Sequence, residues 1–221
     1  SEIAAELEKS QDVNNDAHKT CSRIAAEHKR IIFNGDNYTE QWSQEAKKRG
    51  LPNMPSTVEA LGSIMDEENV KVFEKHKVLS RQELAARTEI LVEAYSMRIN
   101  IEALTMLNMA SRQILPAAVN YSAGLAESVN AIRTAGADPS VQKEMLEEVC
   151  DLIASLKSGI KNLQISVEKA SKANGFEQAK IYRDSVKEAM ADVRSAADQL
   201  EMIVDADLWP LPSYAEMLFI K

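Results

Sequence analysis

Residues 151–205 read DLIASLKSGIKNLQISVEKASKANGFEQAKIYRDSVKEAMADVRSAADQLEMIVD. In the first half, Ile153, Leu156, Ile160, Leu163, Val167 and Ala170 recur at alternating intervals of three and four residues. In the second half, Ala179, Tyr182, Val186, Ala189, Val193, Ala196, Leu200 and Ile203 do the same. A strand turns a side chain to the same face every second residue, whereas 3-4 spacing keeps one stripe of a helix apolar. Asn174-Gly175 lies between the two runs and supplies the residues of a tight turn. At about 1.5 Å per residue each helix is on the order of 45 Å long. The stretch therefore predicts an antiparallel helix hairpin whose apolar seam needs a third helix over it.

Working upstream, Ser80-Arg81-Gln82-Glu83 is a capping box, with hydroxyl and carboxylate each able to bond a free amide at a helix start. A long helix is expected from there through Leu84, Leu91, Met97, Ile101 and Leu104 to about Gln113. Pro116 removes a backbone donor and clashes with the preceding turn, so a kink is expected, with helix resuming to about Thr134. Gly136 ends it, and Asp138-Pro139 reads as an N-cap followed by the proline favoured at the first helical position. This kinked helix is the expected cover of the hairpin.

Further upstream the elements shorten. Helices are expected over Glu2–Lys9 and, after a polar break at Ser10–Asn15, to about Lys29, with His18, Cys21, Ala25 and His28 along one stripe. Ile31-Ile32-Phe33 followed by Asn34-Gly35 is an extended or irregular piece entering a turn, since Asn and Gly tolerate positive φ. Thr39 can cap a short helix with Trp42 and Ala46 that Gly50 terminates before Pro52, and further short helices start at Ser56 and Asp66. Downstream, the prolines of Leu208-Trp209-Pro210-Leu211-Pro212 force an extended path, and Ser213 with Glu216 forms a second capping box before a short apolar terminal helix.

With 7 Gly and 6 Pro in 221 residues and almost no β-branched alternation, the expected fold class is all-α. It divides into 1–78, short helices and an irregular segment; 79–207, the long-helix bundle; and 208–221, the extended tail and terminal helix. The formal charge of −8 opposes nucleic acid, because phosphate binding runs on Lys and Arg displacing counterions. The longest apolar run is too short for a bilayer span, and the acidic opening is unlike a signal segment. Cys21 and Cys150 lie far apart, which suits free thiols in a reducing, cytoplasmic setting. A first residue Ser on an opening that already reads as helix suggests a piece of a larger chain.

The search for chemistry returns little. Asp12, Asn14 and Asp16 fit the first three ligand positions of a calcium loop, but Ala17 stands where glycine makes the turn and Arg23 where a glutamate closes the shell. His18 and Cys21 lie three apart on a helix, yet His28 is about 15 Å further along the axis, so a zinc shell does not close. Glu6 and Glu8 read as a solvated acidic face, and His76 has no nearby serine or cysteine to activate. No phosphate-cradling glycine loop is present. A small hydrolase or metal enzyme built on His18, Cys21 or His76 thus has no visible triad or closed ligand set.

Several strings together carry a resemblance. His28-Lys29-Arg30-Ile31-Ile32-Phe33-Asn34-Gly35, with Tyr38, Trp42 and Glu45-Ala46-Lys47-Lys48-Arg49-Gly50-Leu51, begins the series. Phe73-Glu74-Lys75-His76, Ile99-Asn100-Ile101-Glu102-Ala103-Leu104-Thr105-Met106, Met109-Ala110 and Ile114-Leu115-Pro116-Ala117 continue it. Tyr182-Arg183-Asp184 and Trp209-Pro210-Leu211-Pro212-Ser213-Tyr214 close it. In number and order they resemble the block that follows the catalytic region of type III glutamine synthetases, and residues 139–175 match in helical character alone.

The resemblance implies a whole enzyme that ligates ammonia to glutamate through a γ-glutamyl phosphate, using ATP and Mg or Mn, and that assembles as stacked rings. It also implies that the metal-holding and phosphate-binding segments precede this block. No catalytic, cofactor-binding or metal-binding residue is therefore assigned, and the segment alone is expected to be inactive. The expected partners are the remainder of the synthetase chain and its other subunits, with neither nucleic acid nor membrane. Ile31, Ile32, Phe33, Tyr38, Trp42, Trp209, Tyr214, Leu218 and Phe219 are the expected docking residues. The alternative is an independent helical module that binds a separate protein.

Overall fold

The computed structural model describes residues 2–212 and 214–218, which are helical or irregular with no strand among them. Two units form, Ser1–Pro55 and Ser56–Lys221. The division falls after Pro55, so the short helices at 57–63 and 67–75 belong with the long ones.

In the first unit, α1 (Glu2–Leu7) folds back on α2 (Val13–Glu27). Asp12 caps α2 by accepting from the Asn15 amide at 3.2 Å, and Arg23 reaches back to both Glu6 oxygens at 2.9 and 3.3 Å. The inward residues of α2 are Asp16, Ala17, Thr20 and Ile24, of which Thr20 is buried; His18, Cys21, Ala25 and His28 are exposed. After a 3-10 turn at Lys29–Ile31 the chain runs extended at Ile32 and enters α3 (Glu40–Lys48). Thr39 occupies the N-cap position of α3, but its hydroxyl turns back to the Asp36 carbonyl at 2.8 Å rather than to the helix.

The end of α3 follows the sequence. Gly50 lies at φ +67°, its amide bonds Lys47 O at 3.1 Å, and the Leu51 amide bonds Ala46 O at 2.9 Å. These are the two bonds of a Schellman cap. The same pair of bonds closes α5 (Glu67–Lys75), where a lysine, Lys77 at φ +52°, takes the left-handed position. The sequence offers no glycine there to announce it.

The second unit is the helix bundle. Capping boxes open α4 (Thr57–Ser63), through Ser56 and Glu59, and α6 (Arg81–Met109), through Ser80 and Glu83. The helix that begins at Arg81 does not stop at Pro116. It passes through a π turn, Ala110–Ile114, in which the Leu115 amide bonds Ala110 O, and continues as α7 (Leu115–Thr134). The widened turn lies over the stretch where the proline ring would crowd the carbonyl four residues back. Gly136 at φ +82° ends α7. The Asp138 carboxylate then accepts from the Ser140 amide at 3.1 Å, but Pro139, not Asp138, occupies the N-cap position of α8 (Ser140–Ser171), one residue later than the sequence suggested.

The return arm of the hairpin is α9 (Gly175–Ile181), a second π turn at Tyr182–Val186, and α10 (Lys187–Glu201). Leu156, Leu163 and Ala170 from α8 meet Val186, Val193 and Leu200, and Ala103, Ala110, Ile114 and Ala118 cover the seam. The arms are in close contact at Gly159, where a Cβ would lie 3.1 Å from Val193 Cγ2 and 3.4 Å from Val193 N. A smaller cluster joins Val58 and Leu61 of α4 to Val92 of α6 and Ala179 of α9. Arg183 supports it, bonding Glu59 at 3.2 Å and Asp184 at 2.6 Å.

The helix expected through Leu84, Leu91, Met97, Ile101 and Leu104 is present, but of these Leu84 is buried whereas Leu91, Met97, Ile101 and Leu104 are 48–59% exposed. The inward face is Leu84, Thr88, Val92, Ser96 and Ala103. This helix is apolar on two opposite sides, and small residues on one of them let the hairpin approach closely. Residue size selected the face; periodicity alone could not.

Candidate functional site

The expected docking residues of the first unit gather around a cation-aromatic cluster. The rings of Phe33 and Trp42 have centroids 4.7 Å apart at an interplanar angle of 35°, and the Arg49 guanidinium lies 6.0 Å from each centroid. Arg49 is held in place by three acceptors: Glu45 Oε1 at 2.7 Å, Ile32 O at 2.7 Å and Arg30 O at 3.2 Å. That hydrogen bond from Arg49 is the main reason the Glu45 carboxyl is held below its usual range. Arg49 thus ties α3 to the irregular segment before it.

Gly35 completes the cluster by absence of bulk. Its φ is not positive, so the turn does not need it for left-handed backbone. A Cβ there would instead meet the Phe33 ring at 2.6 Å, so only glycine leaves room for the ring where it stacks on Trp42. The remaining residues of the group point outward: Ile31 and Ile32 are exposed, and Tyr38 is 100% exposed. Among the described residues of this unit Thr20 and Ala46 are the buried ones, a meagre core for 55 residues.

At the other end of the chain, Trp209 packs half-buried against the long-helix core, and its indole Nε1 is buried with no hydrogen-bond partner among the described residues. Leu211 packs on the same core. Tyr214 opens α11 (Tyr214–Leu218), its side chain lying outside the described residues, and Leu218 is exposed. Phe219 and the capping serine expected at Ser213 also lie outside them.

Between α6, α10 and Leu211 runs a cleft of about 570 Å³ lined by Ile101, Met106, Met109, Ile114, Met190 and Val193, with the Arg194–Asp198 ion pair on its border. Its size is that of a small-molecule site. It brings together no nucleophile and base, and its walls are largely thioether and aliphatic. Among the described residues no group of three or more His, Cys, Asp or Glu is placed to hold a metal ion. His18 and Cys21 stand exposed on α2, and His76 is exposed at the C-cap of α5. The donors here do not fit a nucleotide with its divalent cations.

Comparison with known proteins supplies what the geometry leaves open. Residues 16–133 match the glutamine synthetase C-terminal domain. The chain belongs to that family. The C-terminal domain match covers the first unit from Asp16 onward, α4 to α6 and α7 as far as Arg133, so the cation-aromatic cluster around Arg49 lies inside it. A type-3 glutamine synthetase from Dictyostelium discoideum is 37% identical over 202 residues, which is 88% of this chain and 28% of that protein. Glutamine synthetases from Bacteroides fragilis and Butyrivibrio fibrisolvens are 31% and 33% identical, over 86% and 87% of this chain and 27% and 28% of theirs. The chain therefore spans less than a third of the relatives it matches. Its hairpin from α8 onward lies beyond the domain match but inside most of the aligned length of these relatives.

No helix among the described residues is long and apolar enough to cross a membrane. Sequence reasoning missed three features of the site: the Arg49 carbonyl contacts, the steric need for Gly35, and the unpartnered Trp209 donor. The pair Asn34-Gly35 gave no signal of the close approach, because it reads first as a turn and only the backbone angle shows that Gly35 is needed for space.

Proposed function

We propose that this chain is the non-catalytic helical part of a type III glutamine synthetase, bracing the ligase portion of the whole protein and its subunit contacts. The whole protein would join ammonia to glutamate with ATP and Mg or Mn in the cytoplasm, while this segment would hold none of those ligands. Its partners are the remainder of the synthetase chain and neighbouring subunits in a ring-forming homo-oligomer, not nucleic acid or membrane. Ile31, Ile32, Tyr38, Trp209, Tyr214, Leu218 and Phe219 are the proposed contact residues, with Phe33 and Trp42 as the platform beneath them.

The observation that carries this reading is the first unit. Its polypeptide folds with two buried residues among those described, while Ile31, Ile32, Tyr38 and Met54 remain exposed. Apolar side chains held outward on so small a core are stabilised by burial against other protein. The buried, unpartnered Trp209 donor supports it as well, since leaving such a donor unsatisfied costs about 1–3 kcal/mol.

The test is the denatured mass of the gene product in its native source, detected through the Trp209–Lys221 tail. A species several times heavier than 24.5 kDa is expected; a 24.5 kDa species alone overturns the reading in favour of an independent binding module. Calorimetry of the 221-residue chain with magnesium and ATP is expected to show no binding heat, and measurable affinity would defeat the claim that the segment holds no nucleotide.

A further inference from the structure

The outer side of α6 carries Ile90, Ala94, Met97, Ile101, Leu104 and Asn108, spaced 4-3-4-3-4. All six are exposed, Ile90, Met97, Ile101 and Leu104 at 49–63%. Ile90, Met97 and Leu104 lie opposite the buried Thr88, Val92, Ser96 and Ala103, while Ile101 lies at the edge of the stripe, where it also borders the cleft beside α10. An amphipathic surface helix presents polar residues there. This one presents a second apolar seam from Ile90 to Leu104, about 21 Å long at 1.5 Å per residue, with Asn108 at its end.

The spacing has the period of a coiled coil, and its details specify an occupant. With Ala94, Ile101 and Asn108 at a positions, Ile90, Met97 and Leu104 fall at d. Glu93 is then a g residue and Arg98 the e residue five positions later. In a parallel pair, g of one helix meets e of the other across the seam. Glu93 and Arg98 are exposed, and neither has an ion-pair partner among the described residues. Two copies in parallel make the Glu93–Arg98 pair twice by symmetry. An aliphatic Ile101 at a beside Leu104 at d favours two strands, and a polar Asn at one a position fixes register.

We infer that the outer face of α6 is a self-association seam that pairs in parallel with α6 of a second copy of this chain. The inference stands independently of the functional reading above. Six seam residues per copy fall short of the roughly 20–30 residues a side of a standard interface, so the pair is weak, with a dissociation constant in the micromolar range.

The 221-residue chain is followed by sedimentation equilibrium from about 5 to 500 µM, a range bracketing that affinity. A monomer–dimer equilibrium is expected, and Met97→Glu, exposed and so compatible with folding, abolishes it while far-UV circular dichroism is unchanged. Arg98→Glu weakens it roughly tenfold by placing like charges at both pairs, and Glu93→Arg with Arg98→Glu in one chain restores it. Direction is read by oxidative cross-linking after the exposed Cys21 and Cys150 are replaced by serine. Ala94→Cys and Leu104→Cys each cross-link to themselves in a parallel pair, whereas in an antiparallel pair they cross-link only to each other. A chain that stays monomeric throughout, a dimer indifferent to Met97→Glu, or a mixed cross-link only overturns the inference. A monomeric chain leaves the synthetase reading, which rests on mass in the native source, untouched.

Discussion

Gly159→Ala sets two effects of known size against each other. In an exposed helix interior the change stabilises by about 1 kcal/mol, because alanine loses less conformational freedom on folding. Here the added methyl lies 3.1 Å from Val193 Cγ2 and 3.4 and 3.5 Å from the Val193 backbone N and Cα. Val193 is 2% exposed, and a β-branched residue in a helix has essentially one rotamer, so the methyl cannot swing aside. The α8 and α10 backbones must separate by a few tenths of an ångström, and overpacking of this kind costs about 1–3 kcal/mol. The net expectation is a loss of roughly 1 kcal/mol, or a fall in Tm of about 2–4 °C for a chain of this length. Urea unfolding followed by far-UV circular dichroism measures it. Val193→Ala alone creates a cavity and destabilises, but adding Gly159→Ala to it recovers stability, because the methyl now fills the vacated space. A single Gly159→Ala variant as stable as the parent chain, with additive effects in the double variant, would refute the argument that this contact sets the interhelical distance.

Lys77 sits at φ +52° in the Schellman cap of α5, so Lys77→Gly is expected to raise the urea midpoint by relieving a strain of about 1 kcal/mol. Ser80→Ala removes one half of the α6 capping box and is expected to cost about 1 kcal/mol by the same measurement. Gly35→Ala drives the Phe33 ring off Trp42, to be seen as a changed Trp42 emission in a Trp209→Phe background, with unchanged emission counting against the steric reading. Acid destabilisation is also expected. The Asp184 carboxyl is lowered by its hydrogen bond from Arg183, Glu83 by the Ser80 amide, and Glu45 by its hydrogen bond from Arg49. Groups with folded values below their unfolded ones stabilise fully above about pH 4–5 and lose that contribution as pH falls through the lowered values. The urea midpoint should therefore hold from pH 7 to about 5 and drop below about 4, less steeply in Glu83→Gln.

Much of the architecture was legible because the hairpin's apolar residues sit on single stripes. Leu156, Leu163, Val186, Val193 and Leu200 could only point one way, and all are buried. The cap at Ser80 and the stops at Gly50 and Gly136 were equally readable, since each depends on local chemistry within a few residues. The Thr39 hydroxyl did not serve as a cap: it donates to the Asp36 carbonyl and its oxygen accepts no helix amide.

The sequence by itself determined the helical class, the hairpin and the family, because spacing, caps and ordered strings are properties of the chain before it folds. Tertiary structure decided which side of α6 faces inward, where the π turns fall, and that Arg49 reaches the carbonyls of Arg30 and Ile32. Those outcomes depend on how closely two helices can approach, and therefore on the size of residues that lie far apart in sequence and meet only when the core is packed.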